Sequence, residues 1–391
     1  MSNDWLPYGW HWLDDDDIAA VTKILRHGHL TQGETIAEFE QAVAAFCGAK
    51  YAIAVANGTA ALHCAAFAAG VGPGDEAITS PITFAATANC IAYQGGRPVF
   101  ADIDPSTRNI ALDEIERRIT KNTRAILPVH FAGRCCDMPA IAAIAQEHDL
   151  VVIEDAAHAI GSEYSDHGKI RRVGECIHSA MVVLSFHPVK HITTGEGGII
   201  LTNDDALYER LLLCRSHGIT KDKKRLQKNE GPWYYEMQAL GYNYRLTDFQ
   251  CALGLSQLKK LPGFIERRAE IVRRYNAAFG EIESLITPHL PASRTAWHLY
   301  VLEFDLARLD CDRRRIFEEL RERKLGVQVH YIPVHLQPYY RETFGARAGD
   351  YPNAERYYER AISLPLYPRM SDGDVERVMA TVIEVVKRHR K

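Results

Sequence analysis

Short, mostly apolar runs alternate with longer helical stretches through the first two thirds of the chain. Seven runs have the length of a strand, and several are apolar throughout, which is typical of strands covered on both faces. They are residues 51–56, 76–79, 97–101, 125–130, 151–154, 181–185 and 199–202. Helical stretches lie at 59–70, 84–94, 112–120 and 138–148. This alternation predicts an α/β domain with a mostly parallel seven-stranded sheet, in which one of the last three strands runs antiparallel.

The pattern changes in the last third of the chain. Residues 247–250 fit a capping box that opens a helix, and Pro262 predicts a break after it. We expect a second, charged helix over 263–283. Further elements typical of a smaller α+β domain are a strand at 298–304, a helix at 311–324, a strand at 327–331 and a helix at 373–388. The predicted domains are residues 1–262 and 263–391.

Composition and charge narrow the possible functions. The 391 residues are 47% hydrophobic and 25% charged, with a net charge of −4, as in ordinary globular proteins. The densest basic run, residues 221–225, contains an aspartate and indicates a solvated loop, so no nucleic-acid partner is expected. No run reaches the roughly 18 apolar residues of a membrane span, and the N-terminus lacks a signal-peptide pattern. Nine scattered cysteines without CxxC spacing indicate reduced thiols and a cytoplasmic protein.

Two common chemistries are not expected. His187 and His191 form an HxxxH pair, but it lies in a loop with proline and glycine, and no HExxH occurs, so no metal site is predicted. A nicotinamide-dependent dehydrogenase would carry G-x-G-x-x-G after its first strand. This chain has NGTAAL there.

Three separated positions could act on one ligand. Lys190 lies between Ser185 and a glycine-rich turn in SFHPVKHITTGEGG, which suits a nucleophilic amine. Asp155 ends the buried run VVIED, at the strand end where parallel sheets bind ligands. Gly58 and Thr59 begin a helix that follows a strand, and the N-terminus of a helix is a common binding site for a phosphate group. Taken singly, each position also has a simpler interpretation: a solvated lysine, an aspartate that caps a helix, and an ordinary turn. Together the three supply the amine, the acid and the phosphate-binding site that pyridoxal phosphate requires.

Five separated motifs occur in a fixed order: NGTAAL, SPITFAATAN, VVIEDAAHAIG, SFHPVKHITTGEGG and GYNYRLTDFQCALGLSQL. Together they resemble the DegT/DnrJ/StrS family of sugar aminotransferases, and the resemblance covers nearly the whole chain. It implies fold type I and pyridoxal 5′-phosphate as the cofactor. SPITFAATAN and SFHPVK most resemble the pseudaminic acid branch. That branch implies transfer of the amino group of L-glutamate to carbon 4 of a UDP-linked 4-keto-6-deoxy N-acetylhexosamine.

The resemblance also implies roles for single residues. Lys190 would form the Schiff base, and Asp155 would pair with the pyridinium nitrogen. His158 stands where many relatives have a glutamine that contacts the ring hydroxyl. Asn243 would reach the phosphate of the neighbouring subunit, which implies a homodimer with active sites at the interface. The full set of implied cofactor contacts is Lys190, Asp155, Gly58, Thr59, Phe84, His158, Ser185 and Asn243.

Several alternatives stay open at this point. His187, Tyr331 and His335 either bind the substrate or only pack the protein, and residues 215–218 are interpreted mainly as a structural turn. Lys190 argues against the family's dehydratases, which have histidine at this position. The remaining alternatives are the same chemistry on a dTDP- or GDP-linked keto sugar, and a non-catalytic pyridoxal-phosphate-binding regulator. Such regulators normally add a DNA-binding domain, for which no spare segment is expected here.

Overall fold

The computed structural model describes residues 4–391, and its strands form one large sheet and three small ones. In chain order the strands are β1 (Tyr51–Val55), β2 (Glu76–Thr79), β3 (Arg97–Phe100), β4 (Thr123–Leu127), β5 (Val151–Asp155), β6 (Glu163–Asp166), β7 (Lys169–Arg172), β8 (Met181–Ser185), β9 (Gly198–Thr202), β10 (Ile219–Thr220), β11 (Glu236–Met237), β12 (Leu285–Ile286), β13 (Tyr300–Phe304) and β14 (Ala361–Leu364). The large sheet has the order β1-β9-β8-β5-β4-β2-β3. Only β9 runs antiparallel to its neighbours in this sheet. The predicted mostly parallel seven-stranded sheet is therefore confirmed.

Helices cover both faces of the large sheet. In chain order the helices of the described residues are α1 (Asp15–His27), α2 (Glu34–Cys47), α3 (Gly58–Ala69), α4 (Ala85–Tyr93), α5 (Leu112–Arg118), α6 (Met138–Glu147), α7 (Asp205–Arg215), α8 (Asp248–Phe279), α9 (Arg313–Glu322), α10 (Pro338–Phe344), α11 (Pro352–Arg360) and α12 (Asp372–Arg388). Successive strand residues point to opposite faces. Met181 and Val183 pack with α3 and α7, whereas Val182 and Leu184 pack with α2 and α8. This double burial explains why β8 is apolar throughout.

The break predicted at Pro262 is wrong. α8 runs without interruption from Asp248 to Phe279 and contains Pro262. A proline inside a helix costs roughly 3 kcal/mol. The neighbouring side chains of Leu261, Phe264 and Ile265 are buried, and burial of each contributes about 1.5–3 kcal/mol. The three contributions together exceed the cost of the proline. The predicted boundary between residues 262 and 263 thus lies inside one helix, and the division into two domains stays a prediction.

The C-terminal part forms a smaller α+β layer. β12, β13 and β14 make an antiparallel sheet that packs with α9, α12 and the second half of α8 around a shared core. The strand predicted at 327–331 is wrong, because the segment makes only a single bridge, between Gln328 and Ser363. The N-terminal segment also joins this part: Leu6 lies in the same core and pairs with Leu325. Within residues 4–391, no helix combines the length and the apolar character needed to cross a bilayer.

Candidate active site

A cavity of about 480 Å³ opens where β1, β5 and β8 end. These three strands point the same way, because β9 runs antiparallel to both β1 and β8, and β5 is parallel to β8. Their last residues and the loops after them therefore meet at one edge of the sheet, as the position of Asp155 suggested. Nine of the predicted site residues line the cavity: Gly58, Thr59, Phe84, Asp155, His158, Ser185, His187, Lys190 and Tyr331.

The start of α3 forms one wall of the cavity. The Asn57 side chain caps the helix by accepting a hydrogen bond from the backbone N–H of Ala60 at 2.8 Å. Gly58 and Thr59 follow in the first helical turn, where backbone N–H groups lack helical acceptors and the helix dipole favours an anion. Gly58 lies so close to β8 that a Cβ atom there would be 3.1 Å from Cβ of Ser185. Glycine therefore lets the helix begin beside the Ser185 hydroxyl without the tight contact that a larger side chain would make.

Asp155 lies at the end of β5 and is 5% exposed. Its Oδ2 accepts a hydrogen bond from Thr87 Oγ1 at 2.6 Å, and its Oδ1 accepts one from the backbone N–H of Ala157 at 3.1 Å. Two donors from different elements thus fix the carboxylate in the cavity wall. A carboxylate held in this way suits a partner that carries positive charge, such as a protonated ring nitrogen.

Lys190 lies in the turn that follows β8, where its backbone N–H donates to the carbonyl of His187 at 2.9 Å. Burial lowers the pKa of its amine from the usual 10.5 to about 8, although the carboxylate of Asp155 acts in the opposite direction. A much larger share of the amine is therefore neutral near physiological pH than in a solvated lysine. The neutral form is the nucleophile, so the structure favours a reactive lysine over a surface one.

Aromatic side chains and histidines form the opposite wall. Phe84 precedes α4 and is 61% exposed, and its ring centroid lies 6.2 Å from that of Tyr331. The Tyr331 hydroxyl lies 3.1 Å from Nε2 of His158. His187 lies on the exposed rim, and burial of its ring moderately lowers its pKa, with Glu196 opposing.

Sequence reasoning missed part of this wall. Tyr8, His298 and His330 line the cavity although each comes from a segment far from the others along the chain. None belongs to the motifs around Gly58, Asp155 and Lys190, so no chemical pattern in the sequence marked it as a candidate. Thr87, which holds Asp155, was likewise not recognised.

Two predicted site residues lie elsewhere. His335 is fully buried outside the cavity, with Nε2 2.9 Å from a carboxylate oxygen of Glu355 and its ring 4.6 Å from that of Tyr351. His335 packs against neighbouring aromatic rings and does not line this cavity, so a role in substrate binding gains no support here and stays a prediction. Asn243 is exposed, pairs through its backbone with Ser216 and does not line the cavity of its own chain.

The segment 215–218 supports a structural interpretation. Arg215 donates to the carboxylate of Glu40 at 2.5 Å and to the carbonyl of Ala54 at 3.0 Å. Gly218 has a φ of +68°, and a Cβ atom there would lie 1.7 Å from the carbonyl oxygen of Ala239. This turn therefore requires glycine both for its left-handed backbone and for the close approach of Ala239.

The cavity thus combines a nucleophilic amine, a buried carboxylate and a helix start at one edge of a mostly parallel sheet. Comparison with known proteins agrees with a pyridoxal-phosphate site, because residues 12–383 match the DegT/DnrJ/EryC1/StrS aminotransferase family. The chain belongs to this family. The expected family, fold type I and enzyme class, a pyridoxal-phosphate-dependent sugar aminotransferase, are confirmed by this membership.

Individual relatives match over their full length. The chain is 45% identical to the spore coat polysaccharide biosynthesis protein SpsC of Bacillus subtilis, covering 98% of each chain. It is 35% identical to the UDP-4-amino-4-deoxy-L-arabinose–oxoglutarate aminotransferase of Shewanella sediminis, covering 99% of each.

Solved structures agree with these sequence relatives. Helicobacter pylori PseC, an aminotransferase involved in pseudaminic acid biosynthesis, superimposes with a TM-score of 0.90 at 33% identity, covering 98% of this chain and 100% of PseC. The sugar aminotransferase Spr1654 of Streptococcus pneumoniae, solved in PLP and PMP forms, superimposes with a TM-score of 0.89 at 28% identity, covering 98% of this chain and 99% of Spr1654.

The cavity residues fit pyridoxal phosphate on structural grounds. Lys190 offers an amine for the aldehyde, Asp155 an acid for the ring nitrogen, and the α3 start a seat for the phosphate. One further observation points to a bound group: Nδ1 of His158 is buried without a hydrogen-bond partner in the described part of the chain. Buried polar atoms normally have partners, so a ligand oxygen at this position would complete the site.

Proposed function

We propose that this protein transfers the amino group of L-glutamate to the C4 ketone of a UDP-linked 4-keto-6-deoxy N-acetylhexosamine, a reaction of pseudaminic acid biosynthesis. The observation that carries the proposal is the full-length similarity to PseC, which coincides with a lysine of lowered pKa in the cavity. The Shewanella sediminis relative supports the finer points, because its name contains a UDP-linked 4-amino sugar and oxoglutarate, the product left by glutamate.

Each chemical role falls to a residue that lines the cavity. When bound, pyridoxal phosphate carries the amino group between the two substrates and withdraws electrons from the reacting carbon. Lys190 would hold the cofactor through its amine. When free, the same amine, with its lowered pKa, would be able to take the proton from the α-carbon of glutamate and to return a proton in the second half of the reaction. Asp155 would keep a proton on the ring nitrogen.

The other cavity residues bind and orient. The first turn of α3 at Gly58 and Thr59, together with the Ser185 hydroxyl, would hold the phosphate. Phe84 would stack on the ring, and His158 would face its hydroxyl oxygen. Tyr331 and His187 lie further along the cavity wall and rim, and would contact the sugar. These assignments combine the positions of the side chains with the roles that the family resemblance implies.

A homodimer with shared sites belongs to the same proposal. Asn243 does not line the cavity of its own chain, and its exposed position leaves it available to a second subunit. We also propose that the enzyme works in the cytoplasm. All nine cysteines are unpaired, which fits a reducing compartment.

A substrate panel tests the proposal. The holoenzyme is mixed with L-glutamate and with UDP-, dTDP- and GDP-linked keto sugars, and 2-oxoglutarate and the amino sugar are measured by mass spectrometry. We expect amination of the UDP-linked 4-keto-6-deoxy N-acetylhexosamine to be the most efficient. Efficient amination of a dTDP- or GDP-sugar, with none of the UDP-sugar, would replace the proposed substrate and keep the chemistry. Cofactor binding without transfer to any sugar would favour the regulator instead.

A further inference from the structure

The two ring nitrogens of His158 have different surroundings. Nε2 lies 3.1 Å from the hydroxyl oxygen of Tyr331. Nδ1 is buried, and no residue in the described part of the chain forms a hydrogen bond with it. Because His158 lines the cavity, a molecule bound there can supply the partner that Nδ1 lacks.

Packing fixes the plane of the His158 ring. Its centroid lies 4.3 Å from that of His298, and Tyr331 stacks against it at 6.2 Å with an angle of 23° between the planes. Phe131 packs against both His158 and Tyr331, at 6.4 Å from each. With the ring enclosed on these sides, the position of its proton determines whether it donates or accepts a hydrogen bond towards the cavity.

The His158 ring is neutral in this environment. Burial sets the pKa of His158 well below the usual value for histidine, and the neighbouring Lys190, His330 and His191 act in the same direction. A neutral imidazole carries one proton, on either Nδ1 or Nε2. The ring can therefore present an N–H donor to the cavity only if the proton lies on Nδ1.

The Tyr331 hydroxyl favours one of these two tautomers. Burial raises the pKa of Tyr331, and the charge of Asp155 raises it further, so the hydroxyl keeps its proton. In residues 4–391 its hydrogen-bond partner is Nε2 of His158. If Tyr331 donates to Nε2, the ring proton lies on Nδ1 and awaits an acceptor in the cavity. If Nε2 carried the ring proton, the hydroxyl proton would have no acceptor among residues 4–391.

We propose that Tyr331 is a positioning residue whose hydroxyl holds His158 in the Nδ1–H tautomer, so that the cavity wall presents an N–H donor to the ring oxygen of the cofactor. The inference rests on the proposed function only in requiring pyridoxal phosphate in this cavity. It adds a defined proton at His158 Nδ1 and a residue that keeps it there. A glutamine at this position would have no tautomer to fix, because its amide carries both a donor and an acceptor.

Absorption spectroscopy of the holoenzyme tests this role without measuring activity. A donor at the ring oxygen stabilises its anionic form, so losing the donor shifts the pH midpoint of the change in the visible band upward. We expect Tyr331→Phe to raise the midpoint by at least about 0.5 pH unit. In the His158→Gln protein, adding Tyr331→Phe should move the midpoint by less than half as much. Tyr8→Phe, which removes a hydroxyl from the same cavity, serves as the control and should leave the midpoint unchanged.

A direct measurement covers the case in which Tyr331→Phe fails to fold. In wild-type holoenzyme with ¹⁵N-labelled histidine, the signals absent from His158→Gln belong to His158 and should show a protonated Nδ1. Protonation at Nε2, no shift in Tyr331→Phe, or equal shifts in both backgrounds would overturn the inference. A protein without any visible band would refute the cofactor site and this inference together. A normal band without amination of a UDP-sugar would remove only the proposed substrate.

Discussion

The reactivity of Lys190 depends on its surroundings, and this makes it testable by pH. Burial lowers the pKa of Lys190 to about 8, against the opposing charge of Asp155. The amine is protonated below that pH and neutral above it. We therefore expect the rate at which apoenzyme binds pyridoxal phosphate to rise about tenfold per pH unit up to pH 8 and then to level off. Stopped-flow absorbance measures this rate, and a rise that continues to pH 10 would indicate an ordinary solvated lysine.

Chemical labelling tests the identity of the lysine. Borohydride reduction of the holoenzyme followed by peptide mapping should place the cofactor on Lys190. Lys190→Ala should show no covalent label and no turnover, since no other lysine lines the cavity, while its far-UV circular dichroism stays native. A label on Lys169 or Lys259 in the wild-type protein would refute the assignment.

The carboxylate of Asp155 has a separable role. Asp155→Asn keeps the shape of the side chain but removes the negative charge opposite the ring nitrogen. We expect cofactor binding to persist and turnover to fall by about a hundredfold or more. Thr87→Val, which removes the 2.6 Å hydrogen bond to Asp155 together with the contacts of the same hydroxyl to Thr83 and Phe84, but keeps the carboxylate, should cost much less. Near-normal turnover in Asp155→Asn would show that the residue acts only in local structure.

These residues were accessible from the sequence because each stands next to a local feature with a physical meaning. Lys190 precedes a glycine-rich turn, Asp155 ends a buried strand, and Gly58 opens a helix. Tyr8 and His298 lie far from these motifs along the chain, and only folding brings them to the cavity. Local sequence thus identified the groups proposed for the chemistry, whereas much of the wall that surrounds them depends on long-range packing.

Among the elements, the start of α3 is sensitive to a single methyl group. In Gly58→Ala the new Cβ would lie 3.1 Å from Cβ and 3.2 Å from Oγ of Ser185, a tight contact that Ser185 or the helix start must relieve by a small shift. We expect weaker cofactor binding, measured as a Kd for pyridoxal phosphate raised by about tenfold, with the fold retained.

Gly263→Ala in α8 is the matched control for this substitution. A Cβ atom there meets nothing within 4 Å, so alanine should leave the Kd unchanged and stabilise the helix by about 0.5–1 kcal/mol. An unchanged Kd in Gly58→Ala would show that the helix start does not hold the phosphate.

The two wrong element predictions have a common physical origin. Pro262 is a strong local signal for a break, yet α8 continues because Leu261 and Phe264 on either side are buried. The alternating residues 327–331 suggest a strand, yet they lack a continuous partner strand. In both cases tertiary contacts decided the outcome. The large sheet was predictable because its apolar runs are long enough to specify burial on both faces.

At the scale of the whole molecule, Asn243 is a predicted cofactor-binding residue that lies outside the cavity of its own chain. Asn243 is exposed beside Tyr242 and Tyr244, whose stacked rings lie 5.0 Å apart and pack near His63. It does not line the cavity that contains Lys190. If Asn243 takes part in cofactor binding, the site that it completes belongs to a second copy of the chain. A symmetric dimer would then exchange two such residues, one in each direction.

Subunit complementation distinguishes the shared site from a self-contained one. We take Lys190→Ala and Asn243→Asp, in which the new charge would repel the cofactor phosphate, and mix the two inactive proteins under dissociating conditions. With a shared site, both lesions of a mixed dimer fall into one active site and the other is intact. Random pairing makes half of the dimers mixed, so activity should recover to about a quarter of wild type. Lys190→Ala mixed with Asp155→Asn is the control: both residues line one chain's own cavity, so every site keeps a lesion and activity stays low. If mass spectrometry shows that mixed dimers have formed, and the first pair is still as inactive as the control, Asn243 does not serve the partner's site.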